Sequence, residues 1–429
     1  MDHFFDCVGG RLPVSLILEP KNGRDLRAGG NMTRLPGISC LIFAVLSAGS
    51  AYADENVVRI GVLTDMSGQM ADYSGPGAVE AAKLAVNDFG GKVNGKPIEI
   101  VFADHQLKPD VALGILRQWY DNRGVDAVVD LTTSSIALAA VNLTREKNKV
   151  ALNTGAATIE LYRERCSPNS VMWSMDNYTY GHAVPEFVLK SGGKKWFLLV
   201  TDYAFGHGMQ ALITETVTTA GGQVVGAVRH PLGTSDFSSF LLQAQGSGAN
   251  VLAFANSQGD LVNSLKQARE FGLEKTMSFV APANAFHSVL SMGLELAQGM
   301  TVVDPAYWDH NDESRAFTKR FEAITKRPPT GGQFLAYSAI LHYLKAVGAA
   351  GGPSNGAAVV AKMKELPVSD PFFKGNVRAD GRFMYDVLVS TVKKPSESKG
   401  PFDVYNPAGV IPAAQAFAPQ EGSPCSLAK

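Results

Sequence analysis

Hydroxyls and small residues gather where apolar runs end. Thr132-Thr133-Ser134-Ser135 follows the run 125–130, and Asn153-Thr154-Gly155-Ala156-Ala157-Thr158 follows 150–152. A third polar stretch, 64–76, follows the run 57–63 and holds Ser67 and Tyr73. At such places side-chain oxygens and the free amides of a starting helix can converge on a carboxylate. One loop of this kind is weak evidence, because Ser and Thr cap helices in every fold, but three in consecutive units gather along one sheet edge. A second group is aromatic and polar: Asp202-Tyr203-Ala204-Phe205-Gly206-His207-Gly208, Asn256-Ser257-Gln258 and Ala283-Asn284-Ala285-Phe286. Enzyme chemistry has no comparable signature. None of the eight histidines falls in HExxH or another close metal-ligand pair, and neither a Gly-x-Ser-x-Gly elbow nor a Walker loop occurs. These residues describe a binding site, with no cofactor and no catalytic group.

The elements that must position them alternate. Residues 57–63 have the β-branched content and length of a buried parallel strand. Ala78, Ala81, Ala82, Ala85, Val86 and Phe89 then fall on one helical face, with Glu80, Lys83 and Asn87 opposite, until Gly90 and Gly91 stop the helix. The pattern continues as strand 97–103, helix 109–119 with Pro in its first turn, strand 125–130, helix 136–145 and strand 150–152. After Trp173 a second series follows: strand 195–200, helix 208–220, strand 223–228, helix 237–245, strand 251–255, helix 261–271 and strand 277–280. Helices 312–325 and 334–348, a glycine-rich stretch 351–356, a helix 357–366 and an extended region 376–393 complete the chain. The expected class is α/β: two doubly wound Rossmann-like lobes, joined by a hinge of several crossings, with a cleft between them that hinge rotation can open.

At 429 residues the chain exceeds one ordinary domain, and 45% hydrophobic against 18% charged residues gives it enough apolar content for two cores. Residues 32–53 have the basic, apolar and A-x-A parts of a secretory signal: Arg34, an apolar run 38–46, and Ser50-Ala51-Tyr52-Ala53. Residues 1–31 read as an over-called upstream start, and the exported chain should begin near Asp54, in the periplasm. The first 53 residues hold 5 basic and 4 acidic side chains of the total 39 and 40, so the remainder carries 34 against 36, a net −2. A nucleic-acid partner, which calls for a basic excess, is not expected. Cys166 and Cys425 are the cysteines that survive export, and they read either as one disulfide closing a long loop or as two separate buried thiols. If formed, the bridge is worth at most on the order of 4 to 5 kcal/mol by loop entropy.

The ordered set Ile60-Gly61-Val62-Leu63-Thr64-Asp65-Met66-Ser67-Gly68, Gly155-Ala156-Ala157-Thr158, Tyr203-Ala204-Phe205-Gly206-His207-Gly208, Lys266-Gln267-Ala268-Arg269-Glu270-Phe271-Gly272 and Gln298-Gly299-Met300 resembles the extracytoplasmic solute-binding proteins of ABC importers. The likeness is to the type I periplasmic-binding fold that includes the leucine/isoleucine/valine-binding proteins, and it runs through nearly the whole mature chain. It implies a first lobe of 54–175 plus about 305–352 and a second of 176–304 plus about 353–429. It implies a monomer that hands a small carboxylate-bearing solute to an ABC permease and its ATPase. Carried over residue by residue, the ligand's carboxylate is expected at Ser134, or its neighbours Thr133 and Ser135, and at the turn Ala156, Ala157 and Thr158. The family's turn aromatic becomes Phe205. The family's ammonium-binding acid falls at Ala283, in Ala281-Pro282-Ala283, so an amino-acid ligand would need Asp176 or Asp202 instead. Asp176 reads equally as a hinge hydrogen-bonder. Tyr203, Ser257, Gln258, Asn284 and Trp308 complete the expected lining; Tyr307 and Trp308 are open to a core reading as well, and Phe286 is expected to add apolar surface to the cleft. The missing acid favours an aromatic or other apolar carboxylate over a branched-chain amino acid. A periplasmic sensor using the same cleft is the rival of another class.

Overall fold

The computed structural model describes residues 56–202, 204–256 and 258–428, which fall within a single compact unit, 51–429. The leader, its cleavage site, Tyr203 and Ser257 lie outside the described residues.

The chain runs β1 (Val58–Thr64), α1 (Gly75–Phe89), β2 (Lys92–Val93), β3 (Lys96–Asp104), α2 (Pro109–Asn122), β4 (Ala127–Asp130), α3 (Ser134–Glu146), β5 (Val150–Asn153) and β6 (Ser170–Met172). These strands form one sheet in the order β2-β3-β1-β4-β5-β6, parallel apart from the β2–β3 pair. After a π-helical turn at Thr179–Ala183 come α4 (Val184–Lys190), β7 (Lys195–Thr201), α5 (Ala204–Thr219), β8 (Gln223–His230), α6 (Ser238–Gly246), β9 (Val251–Ala255), α7 (Gln258–Glu270), β10 (Ser278–Val280), α8 (Phe286–Met292), α9 (Leu294–Ala297) and β11 (Thr301–Asp304). Then follow α10 (Asp312–Thr325), α11 (Gly331–Ala349), α12 (Gly356–Glu365), β12 (Val368–Ser369), β13 (Lys374–Val377), β14 (Phe383–Met384), β15 (Val387–Val392), β16 (Tyr405–Ile411) and α13 (Ala413–Ala416). The second sheet has the order β16-β15-β11-β10-β9-β7-β8, parallel except for β15, which runs antiparallel to both of its neighbours.

Both sheets are covered on both faces, which is why their central strands are apolar at nearly every position. Val58, Ile60, Val62, Val129 and Leu152 face α1, α11 and α12, while Leu63, Val128 and Ala151 face α2 and α3. In the second sheet Trp196, Leu198 and Val200 face α4 and α5, and Phe197, Leu199 and Phe254 face α6 to α9. α11 is buried almost all round, and a capping box at Thr330 and Gln333 starts it.

The lobe boundary drawn at the glycine-rich stretch is corrected. α12 packs on the first sheet: Gly356 N–H donates to Asn148 O at 3.0 Å, and a Cβ on Gly356 would lie 2.5 Å from Lys149 O. The small sheet β12-β13-β14 also stays with the first lobe, since Met172 N–H donates to Gly381 O at 2.9 Å and the Trp173 ring stacks on Phe383 at 4.2 Å. The chain therefore crosses near Ser174, near Pro305 and near Tyr385. The tail crosses once more after α13: Ala418 joins the first-lobe cluster, and Cys425 bonds Cys166 with S–S 2.08 Å and Cα–Cα 5.8 Å.

Candidate functional site

Parallel order places the carboxyl ends of β1, β3, β4 and β5 along one edge of the first sheet, and those of β7, β9 and β10 along one edge of the second. Across the gap the rings of Tyr73 and His287 meet at 5.0 Å, which brings the loop before α1 against the start of α8. Tyr73 is buried, and its hydroxyl lies within electrostatic reach of Tyr180, Tyr385, Asp130 and Asp304, which together with burial raise its pKa. The two edges thus converge on a floor of crossing residues.

On the first edge the loops are bonded to one another. Asp130, at the end of β4, accepts from Ser74 Oγ and from Thr154 Oγ1 (3.4 Å), and Gly155 N–H donates to its carbonyl at 3.0 Å. Burial pushes the Asp130 carboxyl up to about 6, against those hydroxyl bonds. Asp130, Leu131 and Thr133 hold φ of +85°, +58° and +77°, values that side-chain-bearing residues adopt at a cost and that cluster at ligand sites. Thr133 stands at the N-cap of α3 without a side-chain cap bond. The first amides of α3, beside Ser134 and Ser135, are therefore open to an anion. β4 and β5 pair in register, Asp130 with Asn153, so the turn Ala156, Ala157 and Thr158 is the neighbour of that helix start. Thr158 is buried, and its hydroxyl already accepts from Glu160 N–H at 3.3 Å. Ser67 is exposed and donates to Asp104 at 3.4 Å.

The second edge differs. Phe205 is half-buried against the main core. Gln258 begins α7, Ala283 is partly exposed, and Asn284 is buried with its Nδ2 unpartnered. Thr201 Oγ1, Asn256 Oδ1 and His287 Nδ1 are also buried without a partner, as are Tyr385 OH at the crossing and Asn153 Oδ1 on the first edge. Buried polar atoms are nearly always bonded, so such a group of exceptions marks where a bound molecule or water completes the bonding.

Two expected contacts are placed elsewhere. Asp176 is fully buried at the crossing; its carboxylate accepts from Tyr162 OH at 2.9 Å and Thr179 N–H at 3.0 Å, and it lies 3.6 Å from the buried Arg382 guanidinium. These partners are those of a structural hydrogen-bonder at the crossing. Trp308 donates its indole N–H to Phe402 O at 2.9 Å and packs on the second lobe's own cluster with Tyr307. Phe402 precedes β16 at the end of the sheet remote from the cleft, where Tyr405 pairs with Val392. Phe286 is likewise core, edge-on to Tyr307 at 5.5 Å. Sequence reasoning missed Tyr180 and Tyr385, whose only signal is an aromatic beside a crossing, and His287 at the start of α8, which has none.

Among the described residues no group of three or more His, Cys, Asp or Glu could hold a metal ion, and no helix is long and apolar enough to cross a membrane.

The sequence profile described as "Periplasmic binding protein" matches residues 57–400. A Burkholderia mallei periplasmic binding protein of known structure is 45% identical, covering 87% of this chain and 100% of its own, with a TM-score of 0.78. A branched chain amino acid ABC transporter periplasmic ligand-binding protein from Burkholderia xenovorans LB400 is 41% identical over 87% of this chain and 100% of its own, with a TM-score of 0.84. The Leu/Ile/Val-binding protein homolog 6 of Brucella suis is 26% identical over 80% of this chain and 88% of its own length. With two doubly wound sheets facing across a hinged gap, the chain belongs to the periplasmic binding protein family, whose members carry small molecules to ABC permeases and are not enzymes.

Proposed function

We propose that the cleft takes a small carboxylate-bearing solute with an aromatic or other apolar body, and that hinge closure over it presents the complex to a membrane permease and its ATPase. The carboxylate docks at the open start of α3 and the Ala156–Thr158 turn, and the second edge adds its bonds on closure, shifting the hinge equilibrium by the difference in affinity between the two states. One observation carries the ligand class: the carboxylates at the facing edges are all engaged within the protein. Asp65 accepts from Gly68 and Met70 N–H, Asp104 from Gln106 N–H, and Asp130 and Asp176 as described. Asp202 pairs with His207 at 2.7 Å, and Asp304 accepts from Tyr405 OH at 2.8 Å and Phe286 N–H at 3.1 Å. An ammonium would have to compete with these donors for a carboxylate, because no acid stands free for it.

The second reading is a branched-chain amino acid, favoured by the description of the 41% identical Burkholderia xenovorans protein. Export by residues 32–53, with a mature start at Asp54, belongs to either reading.

Thermal shift of the mature chain against benzoate, 3-phenylpropanoate, leucine and valine decides between them, because a cleft ligand stabilises by mass action. The aromatic acids should raise the melting temperature and the amino acids should not. Ala283→Glu should weaken the acids by placing a like charge beside them. A shift with leucine or valine alone would establish the second reading.

A further inference from the structure

Two turns of the first edge are tied together by one imidazole. His105, fully buried just past β3, donates its own N–H to Thr64 O at 3.0 Å, so its backbone sits against the end of β1. Leu107 N–H donates to Nδ1 at 3.1 Å. Nδ1 is therefore the acceptor, the ring proton sits on Nε2, and Nε2–H donates to Thr132 Oγ1 at 3.1 Å. Burial lowers the ring's pKa, while Asp65 and Asp104 nearby oppose that, so the ring is in its neutral form. The side chain thus reaches from β3 past β1, which lies between β3 and β4 in the sheet, to the turn after β4.

That turn is the one that needs holding. Asp130, Leu131 and Thr133 lie at positive φ on the Thr132 side, and Gln106 and Leu107 lie at +53° and +56° on the His105 side. Backbone in these regions persists only where its surroundings over-determine it. The other side of Thr132 is packed as well: a Cβ on Gly155 would come within 3.0 Å of Thr132 Cγ2. Thr132 is wedged between the imidazole and the turn that leads to Ala156 and Thr158, so its position sets the spacing of both donor groups.

We infer that His105 is a positioning residue for ligand binding: through Nε2–H to Thr132 it holds the β4–α3 turn so that the open amides of α3 and the Ala156–Thr158 turn face one carboxylate. This rests on the proposal that the ligand's carboxylate docks there. His105 itself contacts no ligand.

Calorimetry on the mature chain with benzoate, and separately with leucine, tests it, since both probes present a carboxylate. His105→Leu should lower the affinity of whichever probe binds by about tenfold, a typical consequence of losing a buried hydrogen bond that holds a site. His105→Gln, which can present an amide N–H where Nε2–H stands, should recover most of the loss. Thr132→Val should match His105→Leu, and the double variant should bind no more weakly than either single one, because both break the same link. Urea unfolding of each variant separates loss of affinity from loss of fold, and if His105→Leu does not fold, the comparison of His105→Gln with Thr132→Val remains. Wild-type affinity in Thr132→Val, or losses that multiply in the double variant, would overturn the inference while leaving the carboxylate reading intact. Binding of neither probe to the unmodified chain would overturn the reading and the inference with it.

Discussion

The two edges that face each other across the cleft are built on opposite plans. On the first edge polar side chains bond one another: Ser74, Thr154 and Asp130 link three loops, and the His105–Thr132 bond ties a fourth to one of them. On the second edge Thr201, Asn256, Asn284 and His287 each leave a buried polar atom unpartnered, against Asn153 Oδ1 on the first. The first is prebuilt and the second is unfinished. A prebuilt edge loses little freedom when a ligand docks, whereas an unfinished one gains bonds only when the lobes come together, so the difference itself supplies a closing force. Asp130 and Asp304, one buried acid per edge, offer the sharpest way to break this comparison.

Burial pushes the Asp130 carboxyl up to about 6 and Asp304 up to about 8. Both exceed the usual carboxylate value near 4, so between about pH 4 and its own value each holds, in the folded chain, a proton that the unfolded chain has released. Their contribution to stability is then full below about pH 4 and is lost as pH rises, through about 6 for Asp130 and about 8 for Asp304. The unfolding free energy of the mature chain should fall by a few kcal/mol between pH 5 and 8, at roughly 1.4 kcal/mol per unit of raised pKa. Asp304→Asn should remove the larger and more alkaline part of that slope, and Asp130→Asn only the part below about pH 6. Urea titrations at closely spaced pH values measure it, and a flat profile in the unmodified chain would contradict the assignment.

The next effect concerns the brace behind the first edge. Cys166 follows the Thr158 turn, and its bond to Cys425 fastens the returning tail. Cys425→Ser should lower the unfolding free energy by about 2 to 4 kcal/mol. Thiol labelling of unfolded, unreduced wild type should find no free thiol, and two labelled thiols would refute the bridge.

This pairing was legible in the sequence because the expected removal of the leader would leave two cysteines. The alternation of strands and helices was legible too: residues 251–255 and 312–325 form their elements to the residue, since apolar period and end signals agree there. β16 was not foreseen. Asn406, Pro407 and Gly409 break its pattern, which an edge strand tolerates because one side of its backbone faces no partner. Nor does periodicity say which sheet a helix covers, and so α12 was given to the wrong lobe. At the site, the clusters 132–135 and 153–158 announced the first edge by composition. His105, Tyr385 and the burial of Asp176 depend on contacts between residues far apart in the chain, and no local pattern records those.

Thr158→Ala tests the prebuilt edge directly. Its hydroxyl caps Glu160 N–H and stands in the turn proposed for the carboxylate. Affinity for a carboxylate probe should fall by about 1.5 to 3 kcal/mol by calorimetry if the hydroxyl meets the charge. A fall in stability with unchanged affinity would reduce Thr158 to its cap.

The smallest effect probes the unfinished edge. Asn284 is 5% exposed with Nδ2 unbonded, so in the empty chain it carries a desolvation cost without return. Asn284→Leu removes that amide at similar volume, and replacing an unpaired buried polar group by an apolar one is neutral or favourable. The unfolding free energy of the ligand-free chain should therefore stay level or rise by about 1 kcal/mol. The counterpart on the first edge, Ser74→Ala, should instead lower it by about 1 to 2 kcal/mol, because Asp130 loses a buried donor. Parallel urea curves on ligand-free protein give both numbers. If Asn284→Leu is as damaging as Ser74→Ala, its amide is already satisfied and the two edges do not differ in the way proposed. If the signs are opposite, the second edge is held in a state less stable than its sequence could provide, which is what a surface completed only by its ligand requires.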